Sequence, residues 1–490
     1  MKKQVVFLVS MLIVLIIIFI GIYSASFLGY ISNLLYENII EHFGWAYLLA
    51  AFIFLVFSIA LAFSRFGDVK LGKDYEKPQY SYFGWFSMLF AAGMGIGLIF
   101  WGVAEPLVHY LEPPAHTEPA SGEAAAFSMR YSFFHWGLQP WGIYIVMSLS
   151  IAYFSFRRDM PPLISSCFYP MIGEKIYGFW GYLIDILAVF ATIFGIATSL
   201  GLGAKQIHSG LTHMYGISEG IYVTFIIIGA ATVLFMLSTF VGLDKGIQTL
   251  SKTNMMFAGL LLLFMLVAGP TSYIFNVFTS TLGQFTNQFL EMSLQANPFN
   301  GYEWIRSWTL FYWAWWISWS PFVGMFVARI SRGRTIREFV LSVLIVPTML
   351  TFFWFSVFGG SSLYLQLWEG VDVAEVAIAD SSQALFAVFE HYPVSGVLSM
   401  VAVLLLFVFF VTSADSATFV LGIMTSNGSL SPPLYKKITW GIIQSSLAVI
   451  LLFIGGLLAL QQMAITAALP FTFVMLLMCY NLIRALKEEL

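Results

Sequence analysis

Charged residues are scarce in this sequence of 490 residues. Only 10% of them are charged and 59% are hydrophobic, whereas soluble domains carry about 25% charged residues. Such a chain cannot cover itself with a water-facing surface. Long apolar runs recur from end to end, and many are long enough to cross a hydrocarbon core of about 30 Å as a helix. The sequence therefore predicts an all-α integral membrane protein that spans the lipid bilayer many times.

Cysteine is also scarce, and neither charge sign is in large excess. Cys167 and Cys479 lie in or beside apolar segments and have neither metal-ligand spacing nor a disulfide framework. Packing is therefore their expected role. The 22 basic and 25 acidic residues nearly balance, so the composition gives no indication of a nucleic-acid partner.

Twelve transmembrane helices are predicted from the apolar runs. The first run is longer than the apolar core of a signal peptide and lacks a clear cleavage site, so we predict a retained helix. The predicted spans are 5–28, 45–63, 83–103, 127–154, 178–203, 220–241, 255–277, 308–328, 339–364, 392–424, 438–460 and 463–483. Residues 278–300 mix polar and apolar side chains without spanning length, which favours an amphipathic helix on the outer surface.

The lysines and arginines indicate the orientation of the chain. If the N-terminus is inside, all 22 of them except Arg130, Lys205 and Arg306 fall in segments on the inner side. Positively charged loops resist translocation across a membrane. The pattern supports an even number of spans in the cell membrane, with both termini cytoplasmic.

Three glycines interrupt the third predicted span, in "FAAGMGIGLIFWG" (90–102). Gly93, Gly95 and Gly97 alternate, a spacing that follows no single helical face, and each glycine lowers helix propensity by about 1 kcal/mol. One interpretation is local unwinding, which is tolerated at membrane depth where the backbone lines a cavity. The other is close packing of small residues against a neighbouring helix.

Aromatic residues cluster in the fourth predicted span, in "FFHWGLQPWGIY" (133–144). Trp141 and Tyr144 share a helical face, and Trp136 joins them only if the helix bends near Pro140. A group of rings facing a ligand is one interpretation. An aromatic belt at the membrane interface is the other.

A second aromatic cluster, "YWAWWISWSPF" (312–322), lies in the eighth predicted span. Trp315 and Trp316 each share a face with Trp319, and the Ser-Pro pair after them is expected to loosen the backbone. These rings lie well inside the span, with Arg329 at its cytoplasmic end. Their depth favours a ligand over an interfacial belt, because tryptophan faces attract cations and cages of them suit quaternary ammonium groups.

Hydroxyl groups and one acid interrupt the tenth predicted span, in "FFVTSADSATF" (409–419). Thr412 and Ser413, together with free carbonyls, offer the hard oxygen ligands that a small cation needs. Alternatively, the hydroxyls bond to carbonyls of their own helix. Asp415 is a functional candidate because an acid inside a span is costly, and a structural acceptor paired across helices is the alternative.

Three further polar residues receive structural interpretations. We expect Glu105, in "AEPL", to cap the outer end of its helix. We expect His135 to satisfy a neighbouring helix rather than to relay protons. Asp185, near the start of a span, is expected to be a polar packing residue.

Several of these stretches together resemble the betaine/choline/carnitine transporters. The resemblance rests on "GMGIG" (93–97), "HWGLQPWGIY" (135–144), "FYWAWWISWSPFVGMFVARISRGRTIREF" (311–339) and "TSADSAT" (412–418), and it covers nearly the whole chain. It implies a LeuT-type fold of two inverted five-helix repeats, residues 83–277 and 308–490, after two additional helices in residues 1–82. It also implies a homotrimer, with the amphipathic segment 278–307 near the subunit contact.

The resemblance further implies a substrate site. An aromatic box around a trimethylammonium group would be formed by Trp136, Trp141, Tyr144 and Trp316. Trp315 and Trp319 would belong to the box or to the permeation path, beside the glycine stretch with Gly93, Gly95 and Gly97. Choline-type members tend to carry aspartate at the position of Gly97, so this glycine favours a zwitterionic substrate.

Sodium sites follow from the same resemblance. The first would be formed by the carbonyls of Ala91, Met94 and Phe409 and the hydroxyls of Thr412 and Ser413. A second site, found in betaine members, would use Thr192 and Phe322. Its other threonine position is Ile196 in this sequence, which puts the second sodium in doubt.

The expected function is sodium-coupled symport of a compatible solute into the cell by alternating access. Glycine betaine is the first expected substrate, and the alternatives are ectoine, proline, carnitine, dimethylsulfoniopropionate and choline. Apart from sodium as the coupling ion, no cofactor is expected. A membrane-embedded enzyme would need a nucleophile–base pair or a metal cluster at membrane depth, and the sequence suggests none. A channel, unlike a carrier, would show no substrate exchange.

Overall fold

The computed structural model describes residues 4–218, 220–241, 244–299 and 302–489, without the side chains of residues 90–94, 241 and 244–251. Over these residues the chain forms seventeen α-helices, with short 3-10 and π-helical segments in some of the connections. They are α1 (Val5–Tyr23), α2 (Ala25–Phe63), α3 (Tyr82–Leu111), α4 (Gly122–Trp136), α5 (Leu138–Ala152), α6 (Tyr169–Ile172), α7 (Phe179–Tyr215), α8 (Ile221–Val241), α9 (Asp244–Ala268), α10 (Thr271–Leu294), α11 (Glu303–Ser307), α12 (Thr309–Ile330), α13 (Ile336–Trp368), α14 (Val373–Ala379), α15 (Ala384–Phe389), α16 (Ser395–Met424) and α17 (Leu434–Glu489).

Several helices are suited to a membrane, as predicted. Within the described ranges, seven helices are long and apolar enough to cross a bilayer, or up to eight if the bent pair α9 and α10 is one span. The number twelve stays a prediction. One reason for the lower number is that α17 is counted once although it covers the eleventh and twelfth predicted spans and its backbone is non-helical at Gly455 and Gly456, near the end of the eleventh.

The fourth predicted span is divided at Gly137, not at Pro140. Helix α4 ends at Trp136 and α5 begins at Leu138. A Cβ on Gly137 would lie 2.5 Å from the carbonyl oxygen of Phe133 and 2.7 Å from the ring of Phe352, so a larger residue would not fit. Pro140 lies in the first turn of α5, where a missing N–H costs nothing. The predicted bend in this Gly-x-x-Pro stretch is therefore present, but Gly137 makes it and not Pro140.

Helix α12 continues through Pro321 to Ile330. Because proline has no N–H, it cannot bond to the carbonyl four residues earlier, here that of Ile317. The hydroxyl of Ser320 donates to this carbonyl over 2.7 Å. The Ser320 hydroxyl therefore replaces the hydrogen bond that the proline removes, and the helix continues through the Ser-Pro pair.

The predicted amphipathic segment begins earlier than expected. Helix α9 ends at Ala268, and α10 starts at Thr271 at an angle of 107° to Lys252–Ala268. Proline disfavours a helical conformation in the residue before it, so Gly269 and Pro270 account for the bend. Residues 271–277, at the end of the seventh predicted span, thus belong to the same helix as most of the predicted amphipathic segment. This helix buries Ile274, Phe285 and Met292 and packs against α4 and α13.

Helix α3 lies at the centre of the packing that concerns the candidate site. It contacts α4, α7, α13 and α16, while α12 contacts α5, α7 and α17. The turn between α4 and α5 brings the end of α4 beside both α3 and α12. The aromatic clusters of two distant segments therefore meet inside the helix bundle.

Candidate functional site

The two aromatic clusters form one group, which we call the aromatic group: Trp136, Trp141, Tyr144, Trp315 and Trp316. The ring of Trp316 lies 4.9 Å from that of Trp136, 6.2 Å from Tyr144 and 4.7 Å from Trp315, measured between centroids. Trp141 contacts Tyr144 at 5.6 Å. All five side chains are at most 2% exposed. Such burial inside the bundle excludes an interfacial belt for these residues.

Trp319 continues this group along α12. Its ring lies 6.3 Å from Trp315 and 5.5 Å from Phe322. Trp313 points to another side, where its ring contacts Phe134 at 5.1 Å. The four tryptophans of this stretch therefore do not act as one surface, and Trp313 is a packing residue.

The break at Gly137 also orients Trp316. The last carbonyls of a helix have no partner within it, and the carbonyl of His135 is one of these at the end of α4. The indole N–H of Trp316 donates to it over 3.0 Å. The helix end thus holds the ring of Trp316 against that of Trp136.

Glu105 lies behind the aromatic group and is fully buried. Its Oε2 accepts hydrogen bonds from the indole of Trp136 over 2.7 Å and from the hydroxyl of Tyr312 over 2.5 Å. Because α3 continues to Leu111, Glu105 does not cap its outer end, and that expectation was wrong. A carboxylate within an apolar run is a functional candidate by default, and this signal could have revealed the residue.

Two histidines complete the surroundings of Glu105. Nδ1 of His135 and Nε2 of His109 lie 2.7 and 3.3 Å from Oε1 of Glu105, and Nε2 of His135 lies 3.0 Å from the Thr309 hydroxyl. His135 thus satisfies two neighbouring helices, as predicted. Each of the three residues offers one metal-ligand atom within 4.8 Å of the others. Both carboxylate oxygens of Glu105 and both ring nitrogens of His135 already have hydrogen-bond partners, whereas Nδ1 of His109 is buried without one in the described part of the chain. The hydrogen bonds explain why these groups lie together, so the geometry does not require a metal.

Gly97 lies against the other end of the Trp136 ring. A Cβ at this position would lie 2.5 Å from Cη2 of Trp136 and 3.2 Å from Cη2 of Trp315. A contact under 3.0 Å forces one of the atoms to move. Glycine at position 97 therefore allows the two tryptophans to approach α3 closely.

The predicted sodium residues are described in part. A Cβ on Gly95 would lie 2.8 Å from the ring of Phe409, so α3 and α16 are in close contact at this point. The side chains of Ala91, Gly93 and Met94 lie outside the described residues. Helix α3 runs from Tyr82 to Leu111, and local unwinding near these residues stays a prediction.

The hydroxyl of Thr412 bonds within its own helix. It donates to the carbonyl of Val408 over 2.8 Å and lies 3.3 Å from that of Phe409, which is the structural alternative weighed for this patch. A hydroxyl keeps acceptor lone pairs when it donates, so this oxygen can still bind a cation. Asp415 accepts a hydrogen bond from Thr239 of α8 and is thus an acceptor paired across helices.

The residues of the second sodium site lie on α7 and α12. Thr192 is buried and donates to the carbonyl of Ala188 over 2.6 Å, and Phe322 contacts Trp319. A Cβ on Gly195 would lie 2.9 Å from the carbonyl carbon of Ser318, so the two helices touch here. Ile196 is buried and brings no oxygen to this region.

Several polar atoms in and beside the aromatic group are buried without a hydrogen-bond partner in the described part of the chain. They are the indole nitrogens of Trp141, Trp315 and Trp319 and the hydroxyl of Tyr144. Buried polar groups in proteins nearly always have partners, and exceptions call for an explanation. These donors can pair with an acceptor on a ligand that enters the aromatic group.

The long apolar helices define a polytopic membrane protein, and the buried aromatic group between them is its candidate ligand site. Residues 5–490 match the sequence profile described as betaine/carnitine/choline family transporter, and the chain belongs to this family. It is therefore a transporter and not an enzyme.

Curated relatives match most of the chain. A glycine betaine transporter of Bacillus subtilis (strain 168), OpuD, is 51% identical over 96% of this chain and 91% of its own. An ectoine/hydroxyectoine transporter of Virgibacillus pantothenticus is 44% identical over 99% of this chain and 96% of its own. A glycine betaine/proline/choline/ectoine transporter of Vibrio parahaemolyticus is 40% identical over 93% of this chain and 82% of its own.

Proposed function

We propose that the protein carries a zwitterionic compatible solute, glycine betaine first, into the cell. The observation behind this proposal is the combination of tryptophan faces with unpaired buried donors. A trimethylammonium group donates no hydrogen bonds and is attracted by aromatic faces. A carboxylate, in contrast, accepts bonds from N–H and O–H groups, and Trp141, Tyr144, Trp315 and Trp319 offer these. The glycine betaine relative at 51% identity supports the same substrate.

Sodium is the proposed coupling ion. Its ligands would be the carbonyls of Ala91, Met94 and Phe409 and the hydroxyls of Thr412 and Ser413. Sodium between α3 and α16 would favour the conformation in which α3 supports the aromatic group. Such coupling means that the ion binds one conformation more tightly than the other. The second sodium site would have only Thr192 and Phe322, since Ile196 has no oxygen in its side chain. We therefore expect this second site to be weak or absent.

The proposed architecture is that of the family resemblance. It comprises twelve spans, with inverted repeats in residues 83–277 and 308–490, and the repeats would alternate access to the site between them. The protein would be a homotrimer in the cell membrane with both termini cytoplasmic.

Uptake into proteoliposomes tests this function. We expect accumulation of radiolabelled glycine betaine under an inward sodium gradient. Little should accumulate when potassium replaces sodium; choline is not used for this replacement because it is an alternative substrate. An excess of unlabelled glycine betaine should compete more strongly than ectoine, proline, carnitine or choline. Stronger competition by ectoine would make ectoine the substrate, a change supported by the relative named for it. Uptake that is independent of sodium would contradict the coupling.

A further inference from the structure

Glu105 connects to two tryptophans of the aromatic group by different routes. It accepts the indole N–H of Trp136 directly over 2.7 Å. It also lies 2.7 Å from Nδ1 of His135, whose backbone carbonyl accepts the indole N–H of Trp316 over 3.0 Å. Glu105 is therefore linked directly to Trp136 and through His135 to Trp316, and the rings of these two tryptophans lie 4.9 Å apart.

Helix α3 holds the Trp136 ring from both ends. Gly97 lies against Cη2 at one end of the indole, and Glu105 accepts from Nε1 at the other. The indole is planar and rigid, so contacts at its two ends define both its position and its tilt. A movement of α3 would thus be transmitted directly to this ring.

We propose that Glu105 is a positioning residue of the substrate site, acting through Trp136. The inference rests on the proposed function, because it concerns the affinity of the aromatic group for a quaternary ammonium substrate. Glu105 does not contact the substrate. It keeps the Trp136 ring at the angle that a cage requires, and through His135 it supports the helix end that orients Trp316.

A carboxylate suits this role better than a neutral side chain. Its Oε2 serves Trp136 and Tyr312 while Oε1 serves the two histidines. A glutamine of the same shape has one accepting oxygen and one donating nitrogen. Its oxygen can accept from Trp136 and Tyr312 only when its nitrogen faces the two histidines, and each imidazole must then present an unprotonated nitrogen to this amide. Hydrogen bonds to a charged acceptor are also roughly twice as strong as neutral ones.

The test is a double-mutant cycle on the purified full chain, with equilibrium binding of radiolabelled glycine betaine as the measurement. The variants are Glu105→Gln, Trp136→Phe and their combination. Losing a hydrogen bond to a charged group corresponds to about a tenfold to a hundredfold change in Kd, and we expect a rise of this size for Glu105→Gln. In the Trp136→Phe background, which has no indole N–H, the same substitution should change Kd by a clearly smaller factor, because only the route through His135 remains.

Asp185→Asn is the matched control. Asp185 is a buried carboxylate on α7 that accepts two hydrogen bonds from Ser165 and does not touch the aromatic group. We expect wild-type Kd for this variant. If Glu105→Gln does not fold, Tyr312→Phe removes one donor to Oε2 without changing the packing volume much, and the same cycle with Trp136→Phe applies.

Three results would overturn the inference: a wild-type Kd for Glu105→Gln, equal effects of this substitution with and without the Trp136 indole, or an equal loss in the Asp185 control. Failure of the proposed function is distinguishable from all of these. In that case the wild-type protein itself would not bind glycine betaine.

Discussion

At the scale of single residues, Gly97 shows how one missing side chain shapes the site. The rings of Trp136 and Trp315 occupy the space that a Cβ at position 97 would need. Glycine is tolerated in the helix although it lowers helix propensity by about 1 kcal/mol. The gain is the close approach of two indoles to α3, which places them in the aromatic group.

Gly97→Ala should weaken glycine betaine uptake by displacing the ring of Trp136. The added Cβ would lie 2.5 Å from that ring, and overpacking of this kind costs about 1–3 kcal/mol. We therefore expect the KM for uptake to rise by about tenfold or more. Gly122→Ala is the control, because a Cβ there meets nothing within 4 Å. A KM unchanged by Gly97→Ala would show that the position of Trp136 does not limit binding.

At the scale of elements, one face of α7 holds the segment that contains α14 and α15. Lys205 pairs with Asp380 at 2.9 Å, the hydroxyls of Ser209 and Ser382 lie 2.6 Å apart, and His213 lies 3.4 Å from Glu390. The three α7 residues are four apart and so lie on successive turns of one face. This row of contacts ties the connection between α13 and α16 to the bundle.

Asp380→Asn should loosen this connection. Burial opposes ionisation of Asp380, but Ser382 and Lys205 outweigh it and lower the pKa of this carboxyl, so it is charged at neutral pH. Loss of the charge should cost about 1 kcal/mol, which corresponds to about fivefold faster amide exchange in residues 373–389. Hydrogen exchange with mass spectrometry measures this. Glu390→Gln, in a pair whose carboxylate side chain is 58% exposed, should change exchange little, and an equal change would contradict the role of Asp380.

At the scale of the whole molecule, the basic segments predicted to be cytoplasmic meet at one end of the bundle. Residues 69–71 pair with 333–336 through backbone hydrogen bonds, such as Leu71 N–H to the Arg334 carbonyl at 2.8 Å. Arg332 donates to Glu76 from two of its nitrogens, Nε and Nη2. Arg157 binds both Asp74 and Glu489, the latter at the end of α17. Loops of both proposed repeats are thus linked to one another and to α17.

Acid should weaken this network of ion pairs. Hydrogen bonds from Arg332 lower the pKa of Glu76, and those from Arg157 lower the pKa of Asp74. Because both pKa values are lower in the folded than in the unfolded chain, their stabilisation is complete above the ordinary carboxyl values of 4.5 and 3.8 and is lost as the pH falls below them.

Thermal unfolding of the detergent-purified protein, followed from pH 7 down to about pH 3, measures this dependence. The unfolding temperature should fall once the pH drops below about 4.5, and the fall should be shallower in Arg332→Gln, which has already lost the pair. Arg329→Gln, which alters an exposed arginine of the same segment, should keep the wild-type slope. Equal slopes for all three proteins would exclude a contribution of the Glu76–Arg332 pair.

Local chemistry could be predicted well from the sequence, and the partners of individual side chains could not. The aromatic residues of both clusters were identified because tryptophan at membrane depth is informative by itself. The sequence suggested a helix-capping role for Glu105, because residues as far along the chain as Trp136 and Tyr312 cannot be recognised as its hydrogen-bond partners from the sequence. Likewise, the bend was expected at Pro140, whereas Gly137 makes it, since the close approach of Phe352 is a property of the packing.

The sequence by itself determined that the chain lies in a membrane, because its composition leaves too little polar surface for water. It also determined the family, because the motifs that carry the resemblance are local runs of residues. Only the tertiary structure decided which rings meet, that Gly137 divides α4 from α5, and that Glu105 accepts a hydrogen bond from Trp136. These outcomes depend on contacts between residues far apart in the chain, and such contacts exist only once the helices have packed.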